Sequence, residues 1–228
     1  MTESAPSPVL DPRQAPCIGD RRGDPLPQAA RLTPGGLRAL FAAPPAWEPE
    51  LRSEPRFTDR QPAAAAVLMP LVERADGLHL LLTERTHGLS THAGQIALPG
   101  GRVDASDADA VAAALREANE EVGLPASHVH TLGILPVYVT GAAFVVTPVV
   151  ALVRPGFVLR PNPAEVADVF EVPLAFLMDP QHHRLHEAHW RGERRQWYAM
   201  PYQDGPRERY IWGATAGMLR NLYRLLAA

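Results

Sequence analysis

A single cysteine in 228 residues excludes an internal disulfide framework. That residue, Cys17, lies in a proline-rich segment with no histidine at catalytic spacing, so it reads as an incidental thiol. Positive charge is not in surplus either. The formal net charge is −3 and the sequence pI is about 6.3, which argues against a nucleic-acid or membrane-surface partner. No apolar run is long enough to span a bilayer: the longest, residues 63–72, is interrupted by Pro70. The opening Met1-Thr2-Glu3-Ser4 is polar and acidic, unlike the basic and then apolar start of a secretory leader. There is no internal repeat. These absences lead to the expectation of a soluble, cytoplasmic protein whose length suits one domain with appendages.

What is present falls into two parts. Residues 1–60, with Pro6, Pro8, Pro12, Pro16, Pro25 and Pro27, read as an extended, partly disordered arm. Within it Thr33-Pro34 caps a short helix bearing Leu37, Leu40 and Phe41, which stops before Pro44-Pro45. Residues 61–228 read as the domain proper. Apolar runs at 63–72, 78–83, 95–98, 130–138, 144–153 and 166–172 predict strands, and 174–178 a helical turn. Residues 184–189 and 196–200 alternate like a hairpin, and 212–227 form a closing helix. Strands interleaved with two long helices predict an α/β sandwich with a mixed β-sheet.

The first of those helices, residues 108–122, carries the chemistry. It lacks proline and glycine, is rich in alanine, and is bounded by Ser106 or Asp107 as N-cap and Gly123 as stop. Val111, Leu115, Ala118 and Val122 make its core stripe. Glu117, Glu120 and Glu121 gather three carboxylates within one turn, where they repel one another and oppose the helix dipole. Such a cluster is either a solvated acidic face or a seat for a hard divalent cation, Mg2+ or Mn2+. Pro99-Gly100-Gly101 precedes it, a loop whose backbone can approach a ligand closely.

The spelling of the stretch resembles the Nudix box, G-x5-E-x7-R-E-U-x-E-E-x-G-U with U apolar. Arg116 through Leu124 match every fixed position of its second half. In the first half the acidic residue, Asp107, comes one place late, and Ala108 stands where the box has Glu. Leu81-Leu82-Thr83-Glu84-Arg85 and Gly94 through Gly101 are similar to the L-L-T-x-R-[SA]-x3-R-x3-G-x3-F-P-G-G signature of coenzyme A diphosphatases. That subfamily also carries the late Asp, in G-G-x-x-D-x-x-D. Thr86, Ser90 and Leu98 depart from the signature, and at Ser90 a guanidinium suited to phosphate is absent.

The resemblance implies a Nudix-type α/β/α sandwich and a Mg2+- or Mn2+-dependent hydrolase that cleaves the diphosphate of coenzyme A or acyl-CoA. Another nucleoside diphosphate derivative, such as ADP-ribose or a dinucleotide, is the alternative substrate, and a non-catalytic nucleotide sensor the alternative class. Glu117, Glu120 and Glu121, with a Gly100 or Gly101 carbonyl, would hold the metal. Glu165, after the Asn162-Pro163 turn, is the candidate general base and His92 its rival. Arg116 would hold a box Glu in place. Arg85, His92, Gln95, Gly100 and Gly101 would meet the substrate, a CoA-like nucleotide. No nucleic acid or membrane is expected as partner, and a homodimer is left open. His182, His183, His186 and His189 lie on an apparent hairpin without cysteine, where alternation separates side chains, so a zinc site is not expected.

Overall fold

The structure, a computed structural model, describes residues 11–86, 94–190 and 193–228. In chain order the elements begin with β1 (Cys17–Asp20), α1 (Pro34–Ala42), β2 (Ala63–Arg74), β3 (Gly77–Arg85), β4 (Ile96–Ala97), β5 (Gly100–Arg102) and α2 (Ala110–Val122). They continue with β6 (Val129–Ile134), β7 (Tyr138–Val139), β8 (Phe144–Val153), β9 (Val166–Pro173) and α3 (Leu174–Leu177). The chain closes with β10 (Arg184–Trp190), β11 (Glu193–Asp204), β12 (Arg207–Trp212) and α4 (Gly213–Ala227).

The expected mixed sheet is present. β2 pairs parallel with β8 and antiparallel with β3 and β5, while β9 adds to β3 and β6 and β7 add to β8. Period-two alternation gives this sheet two apolar faces. Ala66, Leu68, Val72, Val149, Ala151 and Val153 face α2, and the intervening Met69, Leu71, Val150 and Leu152 face α4 and α1. Ala113, Ala114 and Ala118, all essentially buried, let α2 lie close on the sheet, whereas the anticipated Val111 and Leu115 are only partly covered. A second sheet, in the order β1-β10-β11-β12, packs with α4 on the far side.

Several expectations are corrected. The helix starts at Ala110, capped by Asp109 through Ala112 N at 2.8 Å, because Asp107 is already engaged by Arg116 and the Asp104 N–H. Residues 130–138 form two strands, β6 and β7, with the chain leaving the ladder between them. β1, β5 and β12 carry no strong apolar alternation, and their pairing comes from tertiary neighbours.

Residues 11–60 of the arm lie against the body. Leu37 of α1 is fully buried, and Asn221 of α4 exchanges two hydrogen bonds with the Leu51 backbone, at 3.0 and 2.6 Å. Arg52 and Glu54 bond the Val139 backbone, and the Tyr223 hydroxyl donates to Pro25 O at 2.6 Å. The reason lies in α4: Arg220, with a side chain 2% exposed, needs anionic partners, and the arm brings Asp24 and Glu50 to it.

Candidate active site

The site forms where β5 meets α2. β5 pairs with β2 so tightly that a Cβ on Gly100 would run into the backbone of Ala66 and Val67. A Cβ on Gly101 would stand 2.5 Å from the Glu117 carboxylate. Only glycines let the loop backbone and that carboxylate share the space. At the other end of the helix Gly123 adopts the left-handed conformation (φ 68°), which turns the chain away after the last glutamate.

Arg116 organises the acidic face. It grips Asp107 with Nε and Nη2 at 2.9 and 2.8 Å, donates from Nη1 to Glu117 and Glu120 at 2.9 and 3.1 Å, and donates from Nη2 to Arg102 O. The guanidinium holds Asp107 at about 2, well below the usual carboxylate range. Asp107, set aside by the box spacing, is therefore the residue that fixes Arg116. The G-G-x-x-D-x-x-D pattern was the signal that located it.

Glu121 points inward. It is 4% exposed, accepts from Gly100 N at 3.1 Å and lies 3.8 Å from Arg85 Nη1. Burial pushes it up to about 7 against these two attractions, and the nearby Glu165 and Glu117 add repulsion. Glu117 is raised as well, chiefly by burial, although Arg116 pulls the other way. Glu120 is the solvent-facing member, with its side chain 57% exposed.

Glu165 reaches the cluster from the loop before β9. Asn162 N–H donates to the Glu121 carbonyl at 2.8 Å, Thr86 N–H donates to the Glu165 carbonyl at 3.0 Å, and Asn162 Nδ2 donates to Glu165 Oε1 at 3.2 Å. Asn162, read from sequence only as a turn former, thus also orients the candidate base. Arg85, at the end of β3, carries a buried Nε–H with no hydrogen-bond partner among the described residues. The Gln95 carbonyl accepts from Arg85 N at 3.0 Å, so the stretch before the glycine loop is locked to the same strand. His92 and Ser90 lie outside the described residues. The four hairpin-region histidines go separate ways: His182 stacks on Phe176, His183 bonds Arg220 and Leu177 O, His186 bonds Ala15 O, and His189 is exposed on β10 opposite Arg194.

The donor set is entirely oxygen and open on one side. Among the described residues no three acidic, histidine or cysteine side chains close around one point. A cation here would keep waters and take ligand oxygens, the habit of Mg2+ or Mn2+ rather than of a caged structural ion. The clustered carboxylates, the glycine cradle and the unpaired Arg85 donor fit such an ion with an anionic ligand.

Comparison with known proteins agrees with this geometry. The NUDIX domain family model matches residues 60–197. A protein of Escherichia coli (strain K12 / DH10B) described as "Uncharacterized Nudix hydrolase NudL" is 42% identical over 158 residues, covering 69% of this chain and 80% of the relative. The protein of that name from Shigella flexneri serotype 5b is 41% identical over 174 residues, 76% of this chain and 86% of the relative. Among solved structures, a Nudix hydrolase from M. smegmatis, RenU, is 28% identical with a TM-score of 0.42, covering 55% of this chain and 79% of that one.

Proposed function

The chain belongs to the Nudix hydrolase family, pyrophosphohydrolases, and from that premise we propose that its substrate is coenzyme A or an acyl-CoA. Water would add across the diphosphate, its oxygen going to one phosphorus and a proton to the leaving phosphate, to give 3',5'-ADP and 4'-phosphopantetheine or its acylated form. The observation that carries this reading is the meeting of the Glu117, Glu121 and Glu165 carboxylates with the unpartnered Arg85 Nε–H beside Gly100 and Gly101. The coenzyme A assignment is supported by the position of its signature residues. Leu81 to Arg85 form the strand end that delivers Arg85, and Asp104 and Asp107 form the turn that fixes Arg116.

Each side chain then has a task. Glu117, Glu120 and Glu121 would hold Mg2+ or Mn2+, which when bound neutralises phosphate oxygens and acidifies water. Arg116 keeps Glu117 and Glu120 on one side of the helix, so little reorganisation is needed on binding. Arg85 aims a charge-assisted donor at a substrate phosphate oxygen. Glu165, steadied at Oε1 by Asn162, takes the proton from the attacking water.

Incubation of the protein with coenzyme A, ADP-ribose and a dinucleoside polyphosphate, with Mg2+ or Mn2+, tests the substrate by chromatography of the products. Formation of 3',5'-ADP from coenzyme A is expected. Release of AMP from ADP-ribose with coenzyme A left intact would replace the substrate and keep the hydrolase.

A further inference from the structure

A cavity of about 330 Å³ opens beside Glu84, near the end of β3. Arg13, Glu84, Gln95, Arg207, Tyr210 and Trp212 contribute its walls. Glu84 and Arg85 are consecutive residues with opposite allegiances. Glu84 bonds Arg207 of β12 at 2.6 Å, and Arg85 sits 3.8 Å from Glu121 of α2. The cavity and the acidic cluster therefore share one end of β3, with Gln95 leading by a few residues into Gly100 and Gly101.

The origin of the walls is informative. Glu84 and Gln95 belong to the span matched by the family model, residues 60–197, whereas Arg13, Arg207, Tyr210 and Trp212 lie outside it. Residues outside the matched span, from both ends of the chain, thus close a pocket beside the end of β3. Its chemistry is also distinctive. Two aromatic rings stand with two guanidinium groups, and Arg13 lies 5.3 Å over the Tyr210 ring. Arg13 is 58% exposed at the side chain and can turn towards a ligand, whereas the Arg207 guanidinium is held by Glu84 and Asp168. The Arg13 guanidinium plane, backed by the buried Tyr210 ring, offers its outer face to a nucleobase. A pantetheine chain, saturated and narrow, would leave the rings and charges without complement. At about 330 Å³ the space is at the small end of ligand pockets, enough for a nucleoside and too small for a whole coenzyme A.

We infer that this cavity is the seat of the adenine end of the substrate, so that the arm and β12 select the nucleotide while α2 and its loop act on the diphosphate. The inference rests on the diphosphatase reading for its class of substrate. Arg13 and Tyr210 are its specificity residues.

Calorimetry on the full chain with AMP, 3',5'-ADP and 4'-phosphopantetheine tests it without reading hydrolysis. Arg13→Ala, at an exposed position with one ion pair at 3.8 Å, keeps the fold, and Tyr210→Leu is compared once a native thermal melt is seen. Both variants should bind the two nucleotides about tenfold more weakly, the scale of one lost stacking partner, with 4'-phosphopantetheine unaffected. Unchanged nucleotide affinity in folded Arg13→Ala, no nucleotide binding by the parent protein, or a loss confined to 4'-phosphopantetheine would each overturn it. An Arg13-dependent preference for AMP over 3',5'-ADP would support the pocket while removing coenzyme A as substrate, so the two readings fail separately.

Discussion

Arg220 and Arg116 both sit among carboxylates, and their settings differ in a way that separates chemistry from architecture. Arg220 is 2% exposed and lies between Asp24 and Glu50, with His183 and the Tyr198 and Tyr223 rings around it. Arg21 also approaches Glu50, at 3.8 Å, so two carboxylates meet two guanidinium groups and every charge is answered. Around Arg116 the balance fails. Asp107, Glu117, Glu120, Glu121 and Glu165 gather near two cations, Arg116 and Arg85, and one side stays open. A closed and neutral cluster staples the arm to α4. The open one has an anionic remainder, and on the proposed function that remainder is what would recruit a divalent ion.

Removing each arginine-centred charge should sharpen the contrast. Arg220→Ala leaves Asp24 and Glu50 without their buried partner and should cost about 3–5 kcal/mol of unfolding free energy, read from denaturant melts. If the protein loses less than about 1 kcal/mol, the arm is not held by this cluster. On the other side, Glu120→Gln keeps shape at a 57% exposed position, so the melt should barely move. Turnover should nevertheless fall by about 10²–10³-fold or more, because a metal ligand is felt mainly in the transition state. Near-normal turnover in that variant would remove Glu120 from the ion's ligands.

The structural cluster also carries a histidine that titrates on the acid side. Arginine can only donate, so His183 Nδ1 accepts from Arg220 and its Nε2–H donates to Leu177 O at 2.7 Å. Burial and, secondarily, Arg220 push His183 down to about 4, against the pull of the Leu177 carbonyl. The unfolded chain takes up this proton near pH 6.5 while the native state refuses it until about pH 4. Stability is full above 6.5 and falls as pH drops through that window, by roughly 2 kcal/mol at pH 5. His183→Gln, which offers a donor and an acceptor but no titration, should lose this dependence. The check is a pair of urea melts at pH 7 and pH 5; an equal slope in both proteins would mean His183 is not neutral.

How much of this was legible in the sequence depends on which interactions are local. Glu117, Glu120 and Glu121 are one turn of helix apart, and their shared face follows from periodicity alone. β2, β3 and β8 were equally plain as apolar runs, because both faces of the sheet are buried and every residue along those strands meets a core. The packing of the arm was hidden for the opposite reason. Its prolines forecast little regular structure, which is correct for most of it, but its order comes from partners some 170–196 residues away: Asn221 for Leu51, and Arg220 for Glu50 and Asp24. Composition carries no trace of such contacts. β12 and the unpaired donor on Arg85 were hidden in the same way.

The smallest expected effect probes the most local of the long contacts. Asp107 is ionised at every working pH, since Arg116 holds it at about 2. Asp107→Asn keeps an oxygen for one guanidinium bond and removes the charge, so Arg116 is free to swing more fully onto Glu117 and Glu120, which it already bonds at 2.9 and 3.1 Å. Those oxygens are then less available to an ion. The expected result is about a tenfold fall in kcat and a rise in the Mg2+ concentration giving half-maximal rate, with KM for the nucleotide and the thermal melt nearly unchanged. A purely structural Asp107 would instead lower the melt and leave the metal dependence alone. A shift in metal dependence at constant stability would mark Asp107 as a positioning residue that restrains Arg116 and keeps the glutamates open to the ion.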